Sequence, residues 1–388
     1  MTAWRRTFFQ KWGRAQGTGT PDMLFLALVL LMLTAGGIMS FSASAVYGEE
    51  FYGDSTYFLK RYLLFAVLSA LICLPMVLLA KPSFFRLLAV VLYVLSVLLL
   101  VLVLLIGTVG GGAQRWLVLG PLTLQPSEVA KLGLLMMLAL TISKHERQVL
   151  STRKNGGSFR FGVLLPGALI CLICALVAAE KHISGLLIIG ALGVGVMFFG
   201  GTRLRYLGMM AAAVAAAAGV LILVSSYAQL RVDTWLHIEE VDPLGSAWQT
   251  LQGLYAIGSG GLFGVGLGQG RQKYGYVSQP QNDFVFTVIC EELGFVGALL
   301  LLALFAALVL RGFYIASHAP DRFSALVVYG ISFKLALQTL LNVAVVTNSV
   351  PNTGVSLPFF SSGGTFLAMQ IFEMGIVLAI SRYGTQKR

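Results

Sequence analysis

The residue in this sequence best suited to moving a proton is a carboxylate at the edge of an apolar run. Asp283 stands in Pro280-Gln281-Asn282-Asp283-Phe284-Val285-Phe286, where a polar loop gives way to a membrane-length apolar segment. Partial loss of water raises a carboxyl pKa, which suits a general base. The same position suits a helix N-cap, a role open equally to Asn282. Upstream, Gly110-Gly111-Gly112-Ala113-Gln114-Arg115-Trp116 sets a cation beside an aromatic ring. That pair fits an anionic sugar-lipid at the interface, and Trp116 fits equally an interfacial aromatic belt. Gln125-Pro126-Ser127-Glu128 then opens an apolar segment. Ser127 can cap it or bind a ligand, Glu128 suits its first turn, and Lys131 shares a face with Glu128 at i, i+3. An ionisable group inside an apolar span is a functional candidate.

Further candidates cluster in the same kind of place. Glu180-Lys181-His182-Ile183-Ser184-Gly185 is a tight polar turn between two apolar segments, where His182 either packs or binds. Gly258 to Gly270 is glycine-rich, but it matches no dinucleotide or Walker fingerprint and follows no strand, so a nucleotide site is not expected. Arg271 and Lys273 follow it and can hold a pyrophosphate or simply be solvated. Asn348 to Gly364, including Asn352, Thr353, Ser361 and Ser362, is a rigid Pro/Gly connection rich in amides and hydroxyls that suit a sugar or phosphate. Glu291 and Glu292 lie two turns beyond Asp283. Buried carboxylates need partners, and Lys131 and Lys334 are the cations expected at membrane depth, so a Glu–Lys network of structural character is expected. The four cysteines fall in apolar stretches and are expected to be small buried hydrophobes despite the Cys171-x-x-Cys174 spacing; no zinc-ligand spacing occurs.

The elements that must position these residues are membrane helices. Of 388 residues, 57% are hydrophobic and 11% charged, against roughly 25% charged in soluble domains. Apolar segments fall at about 23–45, 62–80, 84–107, 127–143, 162–179, 184–200, 206–226, 284–311, 323–347 and 363–381, most near the length of a span and the fourth to sixth short for one. The first, though preceded by Arg5, Arg6, Lys11 and Arg14, is long enough to be an uncleaved helix rather than a signal peptide. The expectation is an all-helical, ten-span membrane protein forming one polytopic domain over 1–388, with a cytoplasmic tail at 1–22 and a large external loop at 227–283 between the seventh and eighth spans. With both ends inside, cytoplasmic segments carry 18 Lys and Arg against three acids, and external loops seven against nine. The net charge of +11 is thus a topology signal, not one for nucleic acid.

In this order, these motifs resemble the SEDS family (shape, elongation, division and sporulation), whose members include FtsW, RodA and SpoVE. The resemblance runs from about 23 to 382. It rests on Gly112 to Trp116, Gln125 to Glu128 with Lys131, Gly264-x-Gly266-x-Gly268, Asn282-Asp283-Phe284 with Glu291-Glu292-Leu293-Gly294, and Asn352-Thr353-Gly354 through Ser361-Ser362-Gly363-Gly364. The family often has Gln-Pro-Asp or Gln-Pro-His at Glu180-Lys181-His182, usually Tyr at Ser362, and Thr or Ser at Asn282. The pattern is closer to FtsW and SpoVE than to RodA. The resemblance implies a peptidoglycan glycosyltransferase that polymerises lipid II at the outer face of the bacterial cytoplasmic membrane, with Asp283 matching the family's essential loop aspartate. It also implies undecaprenyl-pyrophosphate-linked glycan as co-substrate and a class B penicillin-binding protein as partner. A divalent cation, Mg or Mn, is left open. A lipid II flippase and a non-enzymatic division scaffold are the rival readings; no repeated halves favour transport.

Overall fold

The computed structural model describes residues 19–110, 113–119, 122–149, 159–238, 247–277 and 280–384. Gly111 and Gly112 of the first glycine-rich segment, Glu239, Glu240 and Asp242 of the long loop, and the basic residues Arg5, Arg6, Lys11, Arg14, Arg153, Lys154, Lys387 and Arg388 lie outside the described residues.

Among the described residues, nine helices are long and apolar enough to cross a membrane: α1 (Met23–Tyr52), α2 (Tyr57–Leu79), α3 (Pro82–Ile106), α4 (Pro126–Lys144), α5 (Arg160–Ala179), α7 (Leu204–Val224), α10 (Val285–Ser317), α11 (Arg322–Val346) and α12 (Gly364–Ser381). Between α5 and α7 lies a shorter apolar helix, α6 (Ile183–Phe199). Their starts are written locally. Asp22 accepts from the Phe25 N–H at 2.9 Å and Asp321 from that of Ser324 at 2.8 Å, while proline opens α3 and α4.

Burial inverts the soluble rule. The least apolar of the nine, α4, is the most buried, and the most apolar, α3, is largely exposed. In lipid an apolar face needs no cover, whereas polar and ionisable side chains must turn inward. Helices α4, α11 and α12 therefore make the centre. There α4 and α11 approach closely, since a Cβ added at Gly330 would come within 2.8 Å of the Leu135 side chain.

At one end the segments next to α1 and after α12 meet: the Gly19 N–H donates to the Arg382 carbonyl, Arg311 pairs with Asp22 at 2.7 Å, and Arg86 pairs with Asp321 at 2.9 Å. The other end holds two features absent from the sequence reading. The glycine-rich segment after α3 forms a small antiparallel sheet, β1 (Thr108–Gly110), β2 (Ala113–Leu119) and β3 (Leu122–Leu124), with Thr108 opposite Trp116 and Leu117 opposite Leu124. The helical expectation holds for the architecture, with this one local addition. The long break at 227–283 is not structureless, for it contains most of α8 (Ser226–Leu236) and all of α9 (Trp248–Ser259).

Helix α10 breaks at Gly294 (φ 68°, ψ −170°). The glycine-rich loop repairs the break. The N–H groups of Phe295 and Val296 donate to the carbonyls of Gly261 and Leu262, and those of Val265 and Gly266 to the carbonyls of Glu291 and Glu292, all at 2.9–3.0 Å. A Cβ on Gly294 would lie 2.2 Å from the Gly264 nitrogen, so only glycine permits this approach.

Candidate active site

Asp283 stands in the turn that leads into α10, half-buried. It is not a helix cap. Phe284 occupies the N-cap position without a side-chain cap, and the Asp283 carboxylate turns elsewhere. Its Oδ1 accepts from the Ser356 hydroxyl at 2.8 Å. A Cβ on Gly354 (φ 65°) would stand 3.0 Å from its Oδ2, so glycine there keeps the carboxylate uncrowded. Burial pushes the Asp283 carboxyl above its ordinary value; the Ser356 hydrogen bond and the charges of Arg115 and Arg231 oppose that rise.

The connector between α11 and α12 wraps this carboxylate, and each of its turns is tied down. Arg231 and Trp235 of α8 donate to the carbonyls of Asn352 and Asn348, the latter at 2.9 Å. Asn352 Oδ1 accepts from the Gly354 N–H at 3.2 Å, Ser184 of α6 donates to the Thr353 carbonyl, and Asn342 of α11 donates to the Asp283 and Val355 carbonyls at 2.8 and 2.6 Å. At the far side, the Ser362 N–H donates to the Gln281 carbonyl and its hydroxyl to Asn282 Oδ1, both at 3.0 Å; Ser361 is buried beside it. Asn352, Thr353, Ser361 and Ser362 thus hold the connector in shape around Asp283.

A second group adjoins the first through Arg115. Arg115 is half-buried on β2, next to Trp116, and its charge reaches both Asp283 and His182. On α4, Lys131 pairs with Glu128 at 2.7 Å with both side chains buried. Ser127 does not cap α4: Gln125 holds the N-cap position with no side-chain cap bond, and Ser127 lies two residues into the helix. His182 is buried ahead of α6, where burial and then the charges of Arg115 and Lys131 lower its pKa to about 3, so the ring is neutral. Glu180, in the same turn, is pushed up to about 8 by burial. Among the described residues, Ser127 Oγ, Glu128 Oε2, both carboxyl oxygens of Glu180, His182 Nδ1 and Arg115 Nε are buried without a hydrogen-bond partner. Polar atoms in that state point to a ligand or water.

Two expectations need correction. Lys273 is not available to a pyrophosphate: its Nζ is buried, 2.7 Å from Glu292 Oε1 and 2.8 Å from the Gly268 carbonyl. Arg271 is exposed, with its backbone N–H on Glu291 Oε1 at 2.7 Å. Nor do Glu291 and Glu292 pair with Lys131 or Lys334. Glu292 also receives Ser42 and the Gly268 N–H, Glu291 receives loop N–H groups, and Lys334 pairs with Glu373 of α12. Sequence reasoning missed Arg231, Asn342 and Ser356. Ser356 lies inside the hydroxyl-rich connector, Asn342 recurs at helical spacing with Lys334 and Gln338 in an apolar run, and Arg231 carried no signal.

The oxygen donors at Asp283 are those of a single carboxylate and a hydroxyl, not a protein cage for a metal ion. One carboxylate and one hydroxyl stand within reach of two guanidinium charges, and among the described residues no three His, Cys, Asp or Glu side chains come together.

Fold and site define a multi-pass membrane protein with a half-buried loop carboxylate, Asp283, set within reach of the Arg115 and Arg231 charges. The chain belongs to the FtsW/RodA/SpoVE family of cell cycle proteins, whose profile matches residues 22–386. It is 38% identical to Stage V sporulation protein E of Bacillus subtilis over 367 residues, 94% of this chain and 98% of that one. It is 36% identical to a probable peptidoglycan glycosyltransferase FtsW of Trichlorobacter lovleyi over 368 residues, 93% of each. The solved rod shape determining protein RodA of Thermus thermophilus superposes with a TM-score of 0.69 at 29% identity, covering 94% of this chain and 98% of that one. A chain from a peptidoglycan synthase complex, solved for its coordination of polymerization and crosslinking, superposes with a TM-score of 0.76 at 29% identity, covering 94% and 99%.

Proposed function

We propose that this chain is a peptidoglycan glycosyltransferase that polymerises lipid II at the outer face of the bacterial cell membrane. The observation that carries the reading is Asp283: a half-buried carboxylate with a raised pKa, aimed by Ser356 and set within reach of the Arg115 and Arg231 charges. The full-length likeness to a relative named as such an enzyme supports it.

The acceptor is the 4-hydroxyl of the N-acetylglucosamine of lipid II. Asp283 takes its proton as the oxygen attacks the anomeric carbon of the lipid-linked muramyl sugar of the growing chain. The bond from that carbon to the pyrophosphate oxygen breaks, undecaprenyl pyrophosphate leaves with the electron pair, and the new β-1,4 bond has inverted configuration. One carboxylate suffices, because a pyrophosphate needs charge neutralisation rather than the proton a sugar leaving group needs. Arg115 and Arg231 supply that charge. Lys131, held by Glu128, acts at longer range, and Trp116, Gln125, Ser127 and His182 line the sugar side. A class B penicillin-binding protein is the partner; the likeness to a chain of a peptidoglycan synthase complex supports that pairing. Both chain ends are cytoplasmic in this reading.

Purified chain supplied with lipid II and resolved by gel should yield glycan polymer, and Asp283→Asn should insert and melt normally but yield none. Polymer from Asp283→Asn at the wild-type rate overturns the assignment. Translocation of labelled lipid II across vesicles without polymer would replace it with transport.

A further inference from the structure

We propose that Asn342 is the positioning residue for Asp283; this deepens the glycosyltransferase reading and rests on it. Helix α11 carries Lys334, Gln338 and Asn342 at i, i+4 spacing, so they share one face, and each is no more than 1% exposed. That face turns toward the centre of the bundle. Gly330, one turn before Lys334, packs on Leu135 of α4, and Lys334 meets Glu373 of α12. Asn342 is the rung nearest the site.

Its amide spends both hydrogens on the reaction centre. One goes to the carbonyl of Asp283 at 2.8 Å, the other to the carbonyl of Val355 at 2.6 Å. Those carbonyls belong to two irregular segments far apart in the chain. The residue after Val355 is Ser356, whose hydroxyl donates to Asp283 Oδ1 at 2.8 Å. A single side chain thus fixes the main chain at both ends of the hydrogen bond that aims the carboxylate. Asn is fitted to this task because its NH₂ group carries two donors at a fixed angle on a short, neutral stem. Aspartate, the same shape, has no donor when ionised and would set a charge against two carbonyl oxygens. Leucine, of similar size, has none at all.

The consequence is specific. Without Asn342, Ser356 is no longer held over the carboxylate. Ser356 favours the ionised form of Asp283, so its departure raises the carboxyl pKa further. Turnover by a general base is lost as pH falls through that pKa, so the acid limb of the pH profile moves to higher pH. The lost aim lowers kcat more than it changes KM.

The test uses full-length chain in nanodiscs with purified lipid II. Wild type is compared with Asn342→Leu, Asn342→Asp, Asn342→Ser, Asp283→Asn and the exposed-face control Leu340→Ala, with turnover expressed per folded molecule from thermal melts. Asn342→Leu and Asn342→Asp should lose roughly 10²-fold in kcat, the scale of a misplaced reacting group, with KM held within about twofold, as for a group that acts in the transition state. Their acid limb should shift upward. Asn342→Ser, which keeps one donor and replaces the others if they do not fold, should recover part of the turnover, and Leu340→Ala should match wild type. An unmoved acid limb, or turnover per folded molecule equal to wild type in all three Asn342 variants, overturns the proposal. If Asp283→Asn still polymerises lipid II, the glycosyltransferase reading fails with it. If Asp283→Asn is inactive while the Asn342 variants behave as wild type, only the positioning role fails.

Discussion

Two groups of buried polar side chains lie in the bundle, and they are built in opposite ways. At Glu291 and Glu292 every carboxyl oxygen has a donor: Ser42, Lys273 and the Gly268 N–H serve Glu292, and the N–H groups of Arg271 and Gln272 serve Glu291. Around Arg115, Glu128 and His182, buried donors and acceptors are left without protein partners among the described residues. A buried charge that is fully partnered has no capacity left for a ligand, so the first cluster is a clamp. It fastens the glycine-rich loop, α10 and α1 together where α10 breaks. Buried polar atoms without partners cost stability, and a fold keeps them where something else will meet them. The second cluster, with Asp283 beside it, is where we propose that substrate binds.

That contrast can be broken from either side. The largest effect is expected at the base: Asp283→Asn should lower polymerisation of lipid II by about 10²–10⁴-fold, the range for removing a general base, with an unchanged melt. Next come the cations. Arg115→Met should lower kcat by about 10²-fold, as for loss of one fixed stabiliser of developing charge; steady-state turnover measures it, and a loss confined to KM would assign Arg115 to ground-state binding instead. On the clamp the readout changes. Lys273→Met leaves Glu292 buried and uncompensated, which should cost about 3–5 kcal/mol of stability, while turnover per folded molecule stays near wild type. Denaturation melts check this, and the double variant Lys273→Met/Glu292→Met should recover much of the loss.

The smallest effect is a pH slope. Glu180 holds its proton up to about 8 in the fold, against an ordinary value of 4.5. The folded chain then binds one proton more than the unfolded chain between those values, so stability falls as pH rises through that window and levels off above it. Wild type should melt progressively lower from about pH 5 to about pH 8, the interval set by this linkage. Glu180→Gln, neutral throughout, should melt more evenly. A parallel slope in both chains would remove Glu180 from the buried set.

The membrane helices were legible because a run of about 20 apolar residues has few alternatives. Asp283 stood out as a candidate for a related reason: one carboxylate at the mouth of such a run contrasts with its apolar neighbours. What stayed hidden depends on which helices touch. Lys334 pairs with Glu373 rather than with Glu291 or Glu292, because α11 meets α12 there while the α10 carboxylates face α1 and the glycine-rich loop. Lys273 looked like a phosphate ligand because a cation after a glycine run reads that way until its acid is found nineteen residues later on α10. The strands beside Arg115 are only three to seven residues long and glycine-bounded, too short for an alternation pattern to register. Arg231 reaches the site only because α8 folds back over the connector.

Whether the partnered cluster holds the fold while Asp283 does the chemistry is decided by one crossed measurement. Melting temperature and glycan yield from lipid II are recorded for wild type, Asp283→Asn and Lys273→Met. Asp283→Asn should melt with wild type and make no polymer, and Lys273→Met should melt lower yet polymerise in proportion to its folded fraction. Polymer from Asp283→Asn, or a Lys273→Met chain that melts as wild type but makes no glycan, would contradict that division of roles.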